Sequence, residues 1–197
     1  MLGSHNSMSY LPPSNLWGKI TKRWGKCQDK TIHEQYEAGV RYFDIRVKLV
    51  NNHWRFVHNN VDYSYFSYSY LDDILESATK DKNTIYFRIL LDERKQPMAW
   101  ENYANRFRRL VKLFKAYIED NSYNAVIDSA IIYWDWEDIL VHSVAVTEIH
   151  ASVSASWKEY ILGTKAFAEQ HNEDSKLSNT NILNAENKVL LLDYIEL

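Results

Sequence analysis

Short apolar runs alternate with amphipathic stretches along the chain, the pattern expected when buried strands are covered by helices. Met1–His5 reads as a strand, and residues 6–28 as an irregular loop with a Pro12-Pro13 turn and short helical pieces. Thr31–Ala38 predicts a short helix with Ile32, Gln35 and Tyr36 on one side, ended by Gly39. Val40–Leu49 is a predicted strand with Tyr42, Asp44 and Arg46 on one face, because side chains alternate along extended backbone. An Asn51-Asn52 turn leads into a strand over Trp54–His58. A helix over Leu71–Ala78 and a strongly apolar strand over Thr84–Leu91 follow, the latter ending in Asp92-Glu93-Arg94-Lys95. Trp100–Ile118 is the clearest helix, with Tyr103, Phe107, Leu110, Val111 and Phe114 as its stripe and Arg106, Arg108, Arg109 and Lys112 on a solvated face. Strands over Val126–Trp134, Leu140–Ile149 and Val189–Ile195, and a helix over Ser156–Gln170, complete the reading. About seven strands interleaved with helices predict a single α/β domain over residues 1–197, a small, irregular (β/α) TIM-like barrel with minimal connections, since a full barrel takes about 250 residues.

Composition narrows the chemistry. The 197 residues hold only five glycines, and their spacing cannot supply a G-x-G-x-x-G turn or a phosphate-binding P-loop. Twenty-three basic against 26 acidic residues give a net charge of −3, which argues against a nucleic-acid partner. The single cysteine, Cys27, excludes an internal disulfide framework, and no partner that would activate it is evident. Neither a membrane span nor a secretory signal is legible, so a cytoplasmic location is the default, with release by another route left open. A monomer is expected.

In a barrel, chemistry collects at the C-terminal ends of the strands. His5 and Asn6 close the first predicted strand, Asp44 and Arg46 lie near the end of the second, His58 closes the third, and Asp193 lies in the last. Two histidines can act as a base and an acid, and an arginine between them can hold charge on a phosphoryl group. Taken singly, each has a bland alternative: a structural histidine, or a strand ion pair.

These residues carry a family resemblance. Leu2-Gly3-Ser4-His5-Asn6-Ser7 resembles the opening catalytic strand of the phosphatidylinositol-specific phospholipase C X domains. The run from Thr31 to Val47 is similar to the family's second signature: a short helix, then Gly39-Val40-Arg41, then a strand carrying Asp44-Ile45-Arg46. Phe56-Val57-His58 resembles the third, Thr84–Glu93 the fourth strand, and Val189–Tyr194 the final strand of the bacterial members. The resemblance implies a distorted barrel and a phosphorus–oxygen lyase acting on phosphatidylinositol or a related inositol or glycerol phosphodiester. In that scheme His5 takes the proton of the inositol 2-hydroxyl and Asp193 orients His5. Arg46 stabilises the developing charge, His58 protonates the leaving group, and Asp44 holds the strand-end network. The product is a cyclic phosphate.

Two positions depart from the bacterial pattern. Asn6 stands where those members have Asp, as in the calcium-dependent eukaryotic type, and Asn59 stands where Gly is usual. Arg46 occupies the place of an acidic calcium ligand, so no cofactor is favoured. Asn6, Asp44 and Asp92 remain candidate calcium ligands, although an ungapped alignment puts Leu90, not Asp92, at the fourth-strand site. The Tyr63–Tyr70 run could meet an inositol ring or a lipid surface in transient contact, or could pack on the barrel rim. Tyr133–Asp138 reads as a packed strand end or a sugar subsite, and His142 with His150 as a poor metal pattern. His33 and His53 are expected at the surface. A catalytically impaired binding module and a metal-dependent glycerophosphodiesterase-like or sphingomyelinase D-like barrel remain the alternatives.

Overall fold

A computed structural model describes residues 1–93, 97–132, 137–138, 145–149 and 188–192. The elements are β1 (Leu2–Ser4), α1 (Leu16–Gly25), α2 (Ile32–Glu37), β2 (Tyr42–Val50), β3 (His53–His58), β4 (Val61–Tyr65), α3 (Asp72–Lys80), β5 (Ile85–Leu91), α4 (Trp100–Asp120), β6 (Ala125–Ile132), β7 (Glu137–Asp138), β8 (Ala145–Ile149) and β9 (Lys188–Leu192). The nine strands form one mixed sheet in the order β7-β6-β5-β2-β1-β9-β8, curled into a half-barrel, with the β3–β4 hairpin attached to β2. Strands β6, β5, β2, β1, β9 and β8 run parallel, each to its neighbour. The expected barrel-like α/β architecture is present.

The hairpin is where the regular barrel is interrupted. β1 pairs with β2 only at Tyr42 and Phe43, and β3 takes over the same edge from Val47 onward. Between them, Asp44 to Arg46 face the chain that leaves β1, and the Ser7 N–H donates to the Asp44 carbonyl at 2.9 Å. The Asn51-Asn52 turn forms as predicted, with both residues at positive φ (49° and 68°), the two-residue hairpin geometry that asparagine tolerates.

Alternation along the strands sorts the two faces. Phe43, Ile45, Val47, Phe87, Ile89 and Leu91 join the main core with Leu110, Val111 and Phe114 of α4. Tyr42, Val189 and Leu191 form a second, smaller cluster with Met1 and Tyr86 on the opposite face. Gly3 sits in that second layer: a Cβ there would come 2.5 Å from Leu191 Cδ2 and 2.7 Å from Val189 Cγ1. Only glycine lets β1 and β9 close at this point.

Several sequence expectations shift. Residues 16–25 form a ten-residue helix rather than short pieces. The tyrosine run begins as strand β4 and ends in a 3₁₀ turn over Tyr68–Tyr70, and neither element was expected. Its rings serve packing: Tyr68 stacks on Tyr117 with centroids 4.4 Å apart, and Tyr63 is fully buried. β6 is described over Ala125–Ile132 and β8 over Ala145–Ile149; the rest of the two predicted spans lies outside the described residues. β9 runs from Lys188 to Leu192. The helix expected over Ser156–Gln170, His142, His150, Asp193 and most of Tyr133–Asp138 lie outside the described residues.

Candidate active site

The site begins with α2, which fixes how β1 leaves the sheet. Thr31 and Glu34 form a reciprocal capping box: the Thr31 hydroxyl accepts from the Glu34 N–H at 3.2 Å, and Glu34 Oε2 accepts from the Thr31 N–H at 2.7 Å. Gly39, at φ 90°, ends the helix as predicted. Gln35, fully buried on this helix, donates to the Ser7 carbonyl at 2.9 Å and accepts from Ser4 Oγ at 2.5 Å. A second glutamine, Gln28, donates to the carbonyls of His5 (3.0 Å) and Leu192 (2.9 Å), tying the ends of β1 and β9 together. Helix periodicity places Gln35 on one side of α2 with Ile32 and Tyr36, whereas Gln28 does not stand out in the sequence, because a lone polar residue carries no periodic or motif signal.

Across this frame the predicted side chains converge. His5 is 3% exposed, Asn6 and Asp44 are fully buried, and Arg46 is 7% exposed. Arg46 Nε donates to Asp44 Oδ2 at 2.9 Å, and the Asn6 N–H donates to the same oxygen at 3.0 Å. Arg46 Nη2 lies 2.6 Å from His5 Nε2. A guanidinium can only donate, so that nitrogen accepts, and in the neutral ring the proton sits on Nδ1. The His58 ring stands edge-on to that of His5, centroids 5.7 Å apart at 87°. His5, Arg46, Asp44 and His58 thus share one mouth.

The electrostatics follow from burial and pairing. Burial opposes ionisation of Asp44, but the Arg46 and Arg88 guanidinium groups outweigh it and hold the carboxyl well below the usual carboxylate range. Arg88 stands opposite Asp44 in the β2–β5 register, with its Nε 3.8 Å from Asp44 Oδ1. For Arg46 burial likewise opposes the charge, and Asp44 and Asp92 raise its pKa further above the ordinary arginine value. Arg46 is therefore a permanent cation in a nearly dry site.

Register settles the fourth strand. Arg46 pairs with Leu90 in the β2–β5 register. Asp92 still reaches the site, two residues on: its Oδ2 accepts from the Asn59 N–H at 2.8 Å and so anchors the loop that follows His58. Asn6 and Asn59, the residues after the two histidines, both adopt positive φ (43° and 55°). Asparagine is among the non-glycine residues that best tolerate this region, so backbone geometry accounts for Asn59 where glycine is usual.

The residues proposed for calcium are only partly available to it. Asp44 Oδ2 is already shared by Arg46 and the Asn6 N–H. Among the described residues no group of three or more His, Cys, Asp or Glu side chains could hold a metal ion. The Asn6 carboxamide is buried with neither its oxygen nor its nitrogen hydrogen-bonded. The reading of Cys27 needs correction: its Sγ lies 3.7 Å from His58 Nδ1, at the edge of the site. The irregular β1–α2 connection folds back on β3, a contact that sequence separation hides. Among the described residues, no helix is long and apolar enough to cross a membrane.

No family profile matches the chain. Human PI-PLC X domain-containing protein 2 is 38% identical over 23% of this chain and 21% of its own length. The 1-phosphatidylinositol phosphodiesterase of Listeria monocytogenes is 29% identical over 58% of this chain and 34% of its own length. The matches thus span about a third or less of these curated relatives. Among solved structures, the phosphatidylinositol-specific phospholipase C of L. monocytogenes covers 100% of this chain and 88% of its own, with a TM-score of 0.62 at 16% identity. That of Staphylococcus aureus covers 98% of this chain and 85% of its own, with a TM-score of 0.60 at 15% identity. The chain is thus similar in sequence, over part of its length, to PI-PLC X-domain and bacterial phosphatidylinositol phosphodiesterase proteins, and it shares the fold of the bacterial phosphatidylinositol-specific phospholipases C.

Proposed function

We propose that this chain is a phosphodiesterase that cleaves phosphatidylinositol, or a related inositol phosphodiester, by paired histidine catalysis. The observation that carries the reading is the placement of His5 and His58 5.7 Å apart, with Arg46 2.6 Å from His5. A phosphodiester entering the mouth offers Arg46 an anionic partner and frees His5 Nε2 to take the proton of the inositol 2-hydroxyl. The resulting alkoxide attacks phosphorus, Arg46 balances the charge on the non-bridging oxygens, and His58 gives its proton to the departing glycerol oxygen. One P–O bond forms as one breaks, leaving a cyclic inositol phosphate and diacylglycerol. Asp193 is proposed to orient His5. Arg46 supplies the fixed positive charge that a metal would otherwise provide, so we propose a metal-independent site.

Phosphorus NMR of phosphatidylinositol and glycerophosphoinositol incubated with the protein tests this directly. A cyclic phosphate resonance that persists under strong chelation and vanishes in His5→Ala supports it. Turnover that stops with chelator and returns with calcium would instead favour the metal-dependent barrel. Binding without turnover, with calcium present or absent, would favour an impaired binding module, the reading that the buried, unpartnered Asn6 amide supports.

Contact with the lipid surface is proposed to be transient and to run through α1. Leu16 and Ile20, four residues apart and therefore on one side of the helix, are 75% and 63% exposed.

A further inference from the structure

The mechanism leaves one side of His58 unexplained. Its ring lies nearly perpendicular to that of His5, and its Nδ1 lies 3.7 Å from the sulfur of Cys27. That sulfur is held in place. Cys27 is 5% exposed, its N–H donates to Ser9 Oγ at 2.9 Å, and the Gln28 N–H donates to the same hydroxyl at 2.9 Å. Gln28 in turn clamps the ends of β1 and β9. The thiol therefore belongs to the scaffold that positions His5.

We propose that Cys27 is a positioning residue for His58: its sulfur holds the imidazole through Nδ1, presents Nε2 to the substrate, and couples the ionisation of ring and thiol. When His58 is protonated, Nδ1–H donates to sulfur; when the ring is neutral, the thiol can donate back to Nδ1. Arg46 interacts electrostatically with Cys27, and a nearby cation favours the thiolate, the stronger acceptor. Among the described residues, the charged and titratable groups around His58 include Cys27, His5, Arg46 and, through the Asn59 loop, Asp92. Of these, Cys27 is the one at Nδ1. The protonated form of His58 is the form the leaving group needs, so the sulfur supports the acid step. This catalytic consequence rests on the phosphodiesterase reading; the thiol–imidazole coupling does not.

The test is a ¹⁵N–¹H NMR titration of the His58 imidazole in the wild type, Cys27→Ala and Cys27→Ser, with folding checked by circular dichroism. A second arm follows the pH dependence of iodoacetamide alkylation of Cys27 in the wild type and in His58→Gln. The expected results are a His58 midpoint lower by about 0.5–1 unit in Cys27→Ala, a smaller shift in Cys27→Ser, and a displaced alkylation profile in His58→Gln. On phosphatidylinositol, Cys27→Ala should lose kcat on the alkaline limb, about threefold to tenfold, with KM little changed. Superimposable His58 titrations together with an unmoved alkylation profile would overturn the proposal. If Cys27→Ala fails to fold, Cys27→Ser and the alkylation arm still decide it. A wild type without turnover would sink the phosphodiesterase reading while the titrations continue to judge the pair.

Discussion

Asp44 shows how one buried carboxylate organises several groups. It receives Arg46 and the Asn6 N–H on one oxygen and faces Arg88 with the other. Asp44→Asn keeps the shape but leaves two guanidinium groups without their counter-charge. Removing one partner of a buried pair costs about 3–5 kcal/mol, so a fall in stability of that order is expected in urea melts, with loss of turnover. Gln28 is a subtler anchor. Gln28→Leu strips hydrogen bonds from the His5 and Leu192 carbonyls, and an unsatisfied buried group costs about 1–3 kcal/mol. Thermal unfolding should report that loss, and kcat should fall because the proposed base His5 is less firmly held.

At the level of elements, the β3–β4 hairpin matters most. By replacing β1 along the β2 edge it leaves a gap three residues long, and Asp44 and Arg46 stand in that gap. The hairpin also delivers His58 antiparallel to β2, facing a strand that carries Arg46. Helix α1 packs beside β4 and leaves Leu16 and Ile20 outward. Leu16→Ser combined with Ile20→Ser should weaken vesicle binding, read by sedimentation, about thirtyfold or more, each lost apolar side chain being worth about 1–2 kcal/mol. Turnover of water-soluble glycerophosphoinositol, which needs no lipid surface, should stay within about twofold. Equal binding of the double variant to vesicles would place the lipid contact elsewhere.

For the whole molecule, pH enters twice. The Asp44 carboxyl is held below its unfolded value, so the stability it contributes is fully present above about pH 4 and is lost as pH falls toward the lower, folded-state value. Chemical-denaturation midpoints should therefore drop steeply below about pH 4, and Asp44→Asn should flatten that dependence. The proposed mechanism needs His5 neutral and His58 protonated, so on that reading kcat/KM should describe a bell between the two ionisations. A profile rising monotonically through neutral pH, with chemistry rate-limiting, would remove His58 from the acid role.

The order of apolar and polar positions was enough to determine most of the local elements, though not β4 or the 3₁₀ turn, and the face that β2 presents. Tyr42, Asp44 and Arg46 fall on one side of β2 because extended backbone alternates, and Asn51-Asn52 turns because asparagine accepts positive φ. The motif residues His5, Asn6, Asp44, Arg46 and His58 were legible for the same reason: their chemistry and spacing lie within short stretches of chain. Long-range juxtaposition was decided only by the tertiary structure. Gln28 meets Leu192 across 164 positions, Cys27 meets His58 across 31, and Asp92 meets Asn59 across 33. Those contacts depend on how the sheet curls and on where β3 displaces β1 along β2. Both result from packing summed over the whole core rather than from any local preference.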